Sequence, residues 1–260
     1  MFSIKRFHHR LCLALLVAAA PLAAHAAPDG PDLDLSVQYY SRVLTAEGVV
    51  REIRYQEKML RRPGHVWVER VLSAAPAGSK HGEADEHEAG SGKPSGVEQV
   101  ALKRSANHTD EAAHEHKHFN YVVLPRHLER DGAKLRLEFV DAQQRSVVAI
   151  APTEYENVNF DGSWANAFFL IDPQGVASLP LSKLVSPVAN ARWHEREKNG
   201  QFQRVLWDDK KMIPLLVETG DRAGTYFRRI EVKQQASLVK NLPWQNLKGY
   251  AQKEYADFLD

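Results

Sequence analysis

The chain has 260 residues, a formal net charge of +1 and one cysteine, Cys12. A charge so close to zero lacks the basic excess that nucleic-acid binding requires. Cys12 lies in a segment that we expect to be removed, so the composition excludes disulfides, thiolate zinc sites, thiol nucleophiles and covalent haem attachment.

Residues 1–26 have the three parts of a bacterial-type secretory signal. Lys5, Arg6 and Arg10 precede an apolar run over 11–20, and Ala24-His25-Ala26 is a small-x-small cleavage site. The apolar run has about half of the roughly 20 residues that a membrane-spanning helix needs. We therefore expect cleavage near Ala26 and a periplasmic mature chain, 27–260, with a net charge of about −2 and no transmembrane segment.

The first part of the mature chain reads as three strands. They cover 36–44, 49–55 and 65–72, and Ala46-Glu47-Gly48 and Arg62-Pro63-Gly64 supply turn residues between them. This pattern predicts an antiparallel meander. Val49, Ile53 and Leu60 would also fit one helical face, so the type of the middle segment stays open.

Residues 73–118 interrupt the strand pattern. They are rich in Ala, Gly, Ser, Glu, Lys and His, and almost no large apolar residue occurs before Val97. Such a composition buries too little surface to offset its ordering entropy. We expect a flexible insertion within a single β-rich domain over 27–260.

Strand patterns resume after the insertion. Apolar residues alternate over 119–123 and 135–139, and further strands are predicted over 145–150, 167–171, 201–207, 213–218 and 225–232. A short helix is predicted over 178–185. Trp244, Leu247, Ala251, Tyr255 and Phe258 have helical spacing behind Pro243, which predicts a C-terminal helix over 243–259.

Three groups of residues carry a resemblance to a known family. Residues 58–70 place an Arg-Pro turn before an aromatic and basic strand. Phe160-Asp161-Gly162-Ser163-Trp164 is followed by Ile171-Asp172-Pro173, and the end of the chain has 204–208, 213–215 and Gly224. These segments resemble the strand pair, the Asp-Gly turn with its Asp-Pro exit, and the closing hairpins of the LolA/LolB/RseB group of periplasmic lipoprotein carriers and sensors.

The resemblance implies a mainly β (α+β) fold, a curved, unclosed antiparallel β-sheet with a few packing helices. It also implies an apolar cavity that accepts acyl chains or partner peptides. The insertion over 73–118 is foreign to that pattern. The function implied is a non-enzymatic periplasmic binding protein that carries or senses an apolar ligand, a lipoprotein or a partner peptide.

Aromatic residues are the candidate ligand-binding residues. Trp67, Trp164, Phe168 and Trp207 lie on predicted strands or their edges, as do Phe169 and Trp193. A curved sheet would gather some of them around an apolar pocket. The alternative for each is an ordinary place in the core.

The insertion supplies a candidate metal site. His114, His116 and His118 are preceded by His81, His87 and His108. In an extended segment the last three imidazoles share one face about 7 Å apart, whereas in a helix only His114 and His118 do. Nitrogen and oxygen ligands without sulfur favour Zn²⁺, Cu²⁺ or Ni²⁺. The alternative is a linker that is merely rich in histidine.

Motifs of common enzymes are absent from the sequence. No Gly-x-Ser-x-Gly elbow or phosphate-binding glycine loop occurs, and His194-Glu-Arg-Glu-Lys198 lacks the second histidine of a zinc-protease helix. We expect a protein that is not an enzyme and requires no cofactor. An envelope hydrolase with two carboxylates remains an alternative, because such a pair has no fixed spacing.

Overall fold

A computed structural model describes residues 30–72 and 119–258. The secretory segment and the insertion, with all six candidate metal ligands, lie outside the described residues. Within the described ranges, eleven strands form one open, curved sheet in the order β11-β6-β5-β4-β3-β2-β1-β10-β9-β8-β7. The strands are β1 Leu33–Leu44, β2 Val50–Arg62, β3 His65–Val71, β4 Arg126–Asp131, β5 Lys134–Asp141, β6 Ser146–Ile150, β7 Ala191–Lys198, β8 Gln201–Asp208, β9 Ile213–Asp221, β10 Tyr226–Gln234 and β11 Ala251–Glu254.

Neighbouring strands are antiparallel except at one edge, where β11 runs parallel to β6. Strand β1 lies in the middle of the sheet between β2 and β10, and its pairing with β10 sets Val37 opposite Val232. The helices are short: α1 Trp164–Phe169 and α2 Pro173–Ala177, with 3-10 turns at Pro152–Val158, Pro243–Asn246 and Tyr255–Phe258. The mainly β, unclosed curved sheet confirms the expected fold class.

The two faces of the sheet carry separate clusters. We call the face covered by α1 the inner face; its core includes Leu35, Val37, Met59, Val66 and Phe168, all 0–1% exposed. Side chains alternate along a strand, so Trp67, Val140 and Val147 lie on the opposite, outer face. There they form a smaller cluster under Trp244, Leu247 and Tyr250.

Most strands occur where alternation predicts them. The segment over 49–55 belongs to the long strand β2, so its helical alternative is wrong. Alternation does not predict strands β4, β7 and β11, because their sequences are dominated by charged and polar residues. Such strands are recognised from their pairing with neighbours, which a single sequence does not display.

Two predicted strands are wrong. Residues 119–123 form a turn, in which Phe119 packs edge-on against Phe139 with ring centroids 5.4 Å apart. Residues 167–171 lie in α1 and at its end. The reason is the capping residue: the Ser163 side chain accepts a hydrogen bond from the Asn166 amide at 3.1 Å and starts a helix.

Both predicted helices are also wrong. The short helix is α2, which lies before 178–185, and Leu181 instead bridges His194 of β7. The segment 243–259 is not one helix, because two 3-10 turns flank strand β11. Gly249, with φ of 82°, breaks the helical path, and β11 obtains its backbone hydrogen bonds from β6.

Candidate binding pocket on the inner face

A pocket of about 110 Å³ lies between α1 and the inner face of the sheet. Its floor is aliphatic and consists of Val37, Met59, Val66, Val68, Leu128 and Ile230. Asn166, Ala167 and Leu170 form its roof, and Tyr39, Glu57, Arg126 and Arg228 form its rim. The pocket is therefore apolar inside and charged at its opening.

Local hydrogen bonds fix the roof over the strands. Asp161 accepts from the Ser163 amide at 2.9 Å, and Ser163 caps the helix. At the other end, the Asn166 side-chain oxygen accepts from the Asp172 amide at 2.9 Å, while Leu170 adopts a left-handed φ of 67° that ends the helix. This short loop, helix and exit place Ala167 and Leu170 above the floor.

The rim is organised around one buried carboxylate. Glu57 is 8% exposed and lies 3.5 Å from Arg126, from Oε2 to Nη2. Burial raises the pKa of Tyr39, and the hydrogen bond that its hydroxyl donates to Glu57 raises it further. Tyr39 stacks on Tyr55 with centroids 4.5 Å apart. The Glu57 carboxylate thus already interacts with Arg126 and Tyr39. This suits a structural role better than the role of a general base, which needs a free carboxylate.

Below the pocket, Arg61 is fully buried. Its guanidinium donates to the carbonyls of Pro31 at 3.0 Å, Met212 at 3.2 Å and Lys211 at 2.6 Å. It also lies 5.0 Å from the Phe168 ring centroid. Burial lowers the pKa of Arg61 to about 10, so the group remains charged at neutral pH.

The structure does not bring the four predicted aromatic residues together. Trp164, Phe168 and Trp207 belong to the inner core, and none of them lines the pocket. Trp67 lies on the outer face, where its indole donates to Glu69 at 2.7 Å. Phe169 is buried in the inner core, and Trp193 is half-buried on β7.

The lining residues were missed for a physical reason. Val37, Met59 and Val66 look like any other inward-facing aliphatic residue, and only the tertiary gap beneath α1 makes them a pocket floor. One signal did exist in the sequence. Glu57 interrupts the alternation of β2 at an inward position, and a charge at such a position indicates either a partner or a site.

A histidine chain occupies the outer face. His65 Nδ1 lies 3.1 Å from His127 Nε2, and His127 Nδ1 lies 3.3 Å from Glu138 Oε2. The Trp244 ring stacks on both imidazoles, with centroid distances of 5.2 and 5.5 Å. Burial lowers the pKa of His65, and the neighbouring His127 lowers it further.

Within residues 30–72 and 119–258, no group of three or more His, Asp, Glu or Cys residues is arranged to hold a metal ion. None of the helices in these ranges is both long and apolar enough to cross a bilayer.

No family model matches the sequence, and no curated protein matches it either. Solved structures are similar to it at low identity. A PNGF-II structure has a TM-score of 0.33 and 7% identity, covering 87% of this chain and 32% of that one. The MucA/MucB complex of Pseudomonas aeruginosa has a TM-score of 0.34 and 11% identity, with coverage of 82% and 55%.

A third similar structure is a putative outer membrane lipoprotein-sorting protein domain from Vibrio parahaemolyticus. Its TM-score is 0.28 and its identity 12%, covering 80% of this chain and 88% of that one. The chain spans about a third of the PNGF-II structure and about half of the MucB one. With TM-scores of 0.28–0.34 and identities of 7–12%, these similarities transfer no role to any residue of this chain.

Proposed function

We propose that this protein is a non-enzymatic binding protein that carries or senses an apolar ligand, a lipoprotein or a partner peptide on the inner face of its sheet. The observation that supports this proposal is the pocket beneath α1. Its aliphatic floor would hold an apolar group, and the few polar groups at its rim would orient the rest of the ligand.

The size of the pocket indicates how a ligand would enter. About 110 Å³ is well below the roughly 300–1,000 Å³ of typical small-molecule pockets. An acyl chain therefore requires α1 to move outward. Helix α1 has six residues, and so short a helix is stabilised by packing rather than by its own propensity. A bound chain could replace that packing.

A substitution that fills the pocket tests this proposal. In Ala167→Phe the new ring occupies the space between α1 and Val68, and we expect the affinity for a fluorescent fatty-acid analogue to fall at least about tenfold. Ala142→Phe adds the same ring to an exposed turn and serves as the control. Circular dichroism checks that both variants fold.

Two results would count against the proposal. One is a wild-type protein that binds neither the analogue nor any small molecule detectable by native mass spectrometry of material from its own host. The other is an equal loss of affinity in both variants.

A second function is proposed on the histidine spacing alone. His114, His116 and His118, with His81, His87 and His108, would bind Zn²⁺, Cu²⁺ or Ni²⁺. In calorimetric titrations of the chain from Ala27, we expect dissociation constants at or below about micromolar. They should weaken when the three clustered histidines become alanine. Weaker binding that is unaffected by these substitutions would reject the proposal.

Both functions assume export. We propose that the protein acts in the periplasm after cleavage near Ala26. N-terminal sequencing of protein recovered from a periplasmic extract should begin at Ala27, whereas an intact Met1 in the cytoplasmic fraction would contradict the assignment.

A further inference from the structure

The charges of the sheet are unequally divided between its faces. In the described strands, most outer-face arginines have carboxylate partners, as in Arg62 with Asp34 at 2.7 Å, Arg204 with Glu195 at 3.4 Å and Arg229 with Glu218 at 3.2 Å. Arg42 instead donates to the Gly224 carbonyl at 3.1 Å. On the inner face, Arg126 with Glu57 is the one ion pair that joins two of these strands. The inner face thus retains cations without carboxylate partners.

These cations gather at one end of the inner face, at the rim of the pocket and beyond it. Cross-strand pairing aligns Ile53, Ser41, Arg228, Thr219, Gln203 and Arg196 in one row from β2 to β7. Arg51 and Lys198 lie on the same face one step further along their strands. Within the described residues, Arg51, Arg196, Lys198 and Arg228 are exposed and make no hydrogen bond or ion pair.

Apolar side chains lie exposed among these cations. Ile53 and Val49 are each 54% exposed, and Val43 and Tyr226 are each 39% exposed. Helix α1 covers the floor of the pocket but none of these residues. We call this end of the inner face, with its four cations and four apolar residues, the basic apolar end. It continues directly into the pocket, since Arg228 belongs to both.

We propose that the basic apolar end docks on an anionic lipid surface. Guanidinium and ammonium groups close to such a surface are attracted by its negative potential, and apolar side chains between them can enter the boundary between head groups and acyl chains. Charge complementarity favours this occupant, because the four charged side chains of this end that make no hydrogen bond or ion pair are all cationic. Docking would set the rim of the pocket against the lipid.

The nearby carboxylates determine how the protein would lie. Glu47 is at the apex of the β1–β2 turn, where a hydrogen bond from Thr45 lowers its pKa. Hydrogen bonds from Thr225 likewise lower the pKa of Asp221 at the β9–β10 turn. Because both groups stay charged, the turns remain at head-group level. The hairpin lies along the surface on its inner face rather than entering tip first.

The test measures partition of the chain from Ala27 onto vesicles. Vesicles of phosphatidylglycerol and phosphatidylethanolamine are compared with neutral phosphatidylcholine vesicles by co-sedimentation. We expect binding to the anionic vesicles only. In the double variant Arg51→Gln/Arg196→Gln, partition should fall about 25-fold, since each cation near the surface contributes about fivefold.

A matched control removes the same charge from the outer face. Arg54→Gln/Arg204→Gln should change partition less than about twofold, because these arginines face away from the lipid. Ile53→Ser should weaken partition about threefold or more, while Val188→Ser, exposed elsewhere at 41%, should not. Neither Arg51 nor Arg196 lines the pocket, so the double variant should still bind the fatty-acid analogue.

Several results would overturn docking on lipid. They are equal binding to neutral and anionic vesicles, no binding to either, and an equal loss in the two double variants. Binding of polyglutamate without vesicle binding would replace the lipid by an acidic protein partner. Docking and pocket function are separable, since Ala167→Phe should lose the fatty-acid analogue but keep vesicle binding.

Discussion

Arg61 shows how one side chain can hold three segments together. Its donors reach a carbonyl before β1 and two carbonyls in the β8–β9 turn, while its flat face lies against Phe168 of α1. A planar guanidinium can satisfy acceptors on several sides at once, which the ammonium of lysine cannot do. Like Glu57, Arg61 is a charge at an inward position of β2, but beside the Arg62-Pro63 turn it looks like a solvated charge, and the sequence does not show which segments it joins.

We predict that Arg61→Ala destabilises the protein strongly. The substitution leaves three part-buried carbonyls without this donor and opens a cavity beneath Phe168, and together these effects should lower the free energy of unfolding by about 3–5 kcal/mol. Urea unfolding followed by tryptophan fluorescence measures the change.

Arg54→Ala is the matched control, since the Arg54 side chain is 70% exposed. It should cost about 1 kcal/mol or less. A loss for Arg61→Ala as small as that of the control would show that the buried guanidinium does not join these segments.

His65 should make the free energy of unfolding depend on pH in the acidic range. Because burial and His127 lower its folded pKa below the ordinary 6.5, the unfolded chain binds the proton more readily. Neutral His65 therefore makes its full contribution to the free energy of unfolding above about pH 6.5. That contribution is lost as the pH falls below this value. Glu129 opposes this shift, and Arg136 adds to it.

We predict a measurable difference between the wild type and His65→Gln. Urea unfolding between pH 7.5 and 5.5 should show a decline in the wild type that is smaller in the variant, since glutamine does not titrate. His194→Gln, on β7 and remote from this cluster, is the comparison. Parallel curves for the wild type and His65→Gln would contradict the prediction.

The C-terminal segment illustrates the limit of periodicity at the scale of an element. Trp244, Leu247, Tyr255 and Phe258 have helical spacing, yet they pack in two different places. Trp244 and Leu247 cover the outer-face cluster, whereas Tyr255 and Phe258 pack against the inner core. A helix would have turned all four toward one surface. Strand β11 lets the segment pass along the edge of β6 and reach both.

Trp244 should hold this segment in place. We predict that Trp244→Ala releases it locally, because the ring provides its contact with His65 and His127. The loss of ring burial is worth about 2 kcal/mol. Hydrogen exchange at Ala251–Glu254 and along β6 should accelerate, while β1 and β2 keep their protection.

The indole of Trp193 is also half-buried but lies on β7, at the opposite edge of the sheet. Trp193→Ala should therefore leave exchange in β11 unchanged. Unaltered exchange in β11 of the Trp244 variant would show that pairing with β6 is sufficient to hold the segment.

For the whole molecule, alternation of apolar residues predicts the class of fold and most of the strands. It does not predict which strands become neighbours. Contacts between distant parts of the chain decide three features of the fold. These are the pairing of β1 with β10, the parallel pairing of β11 with β6, and the gap beneath α1. The candidate pocket was missed for the same reason. Its floor consists of residues that are core by type and become a site only where α1 leaves space.

The pairing of β1 with β10 also orders the events of biosynthesis. Strand β1 leaves the ribosome early, with β2 soon available on one side, but Val37 meets Val232 only when nearly all of the chain has been made. Until then the other edge of β1 presents free backbone donors and acceptors, which invite pairing with foreign strands. Such long-range closure is slow. We therefore expect the incomplete chain to need protection of that edge, and a chain truncated before β10 to aggregate rather than fold.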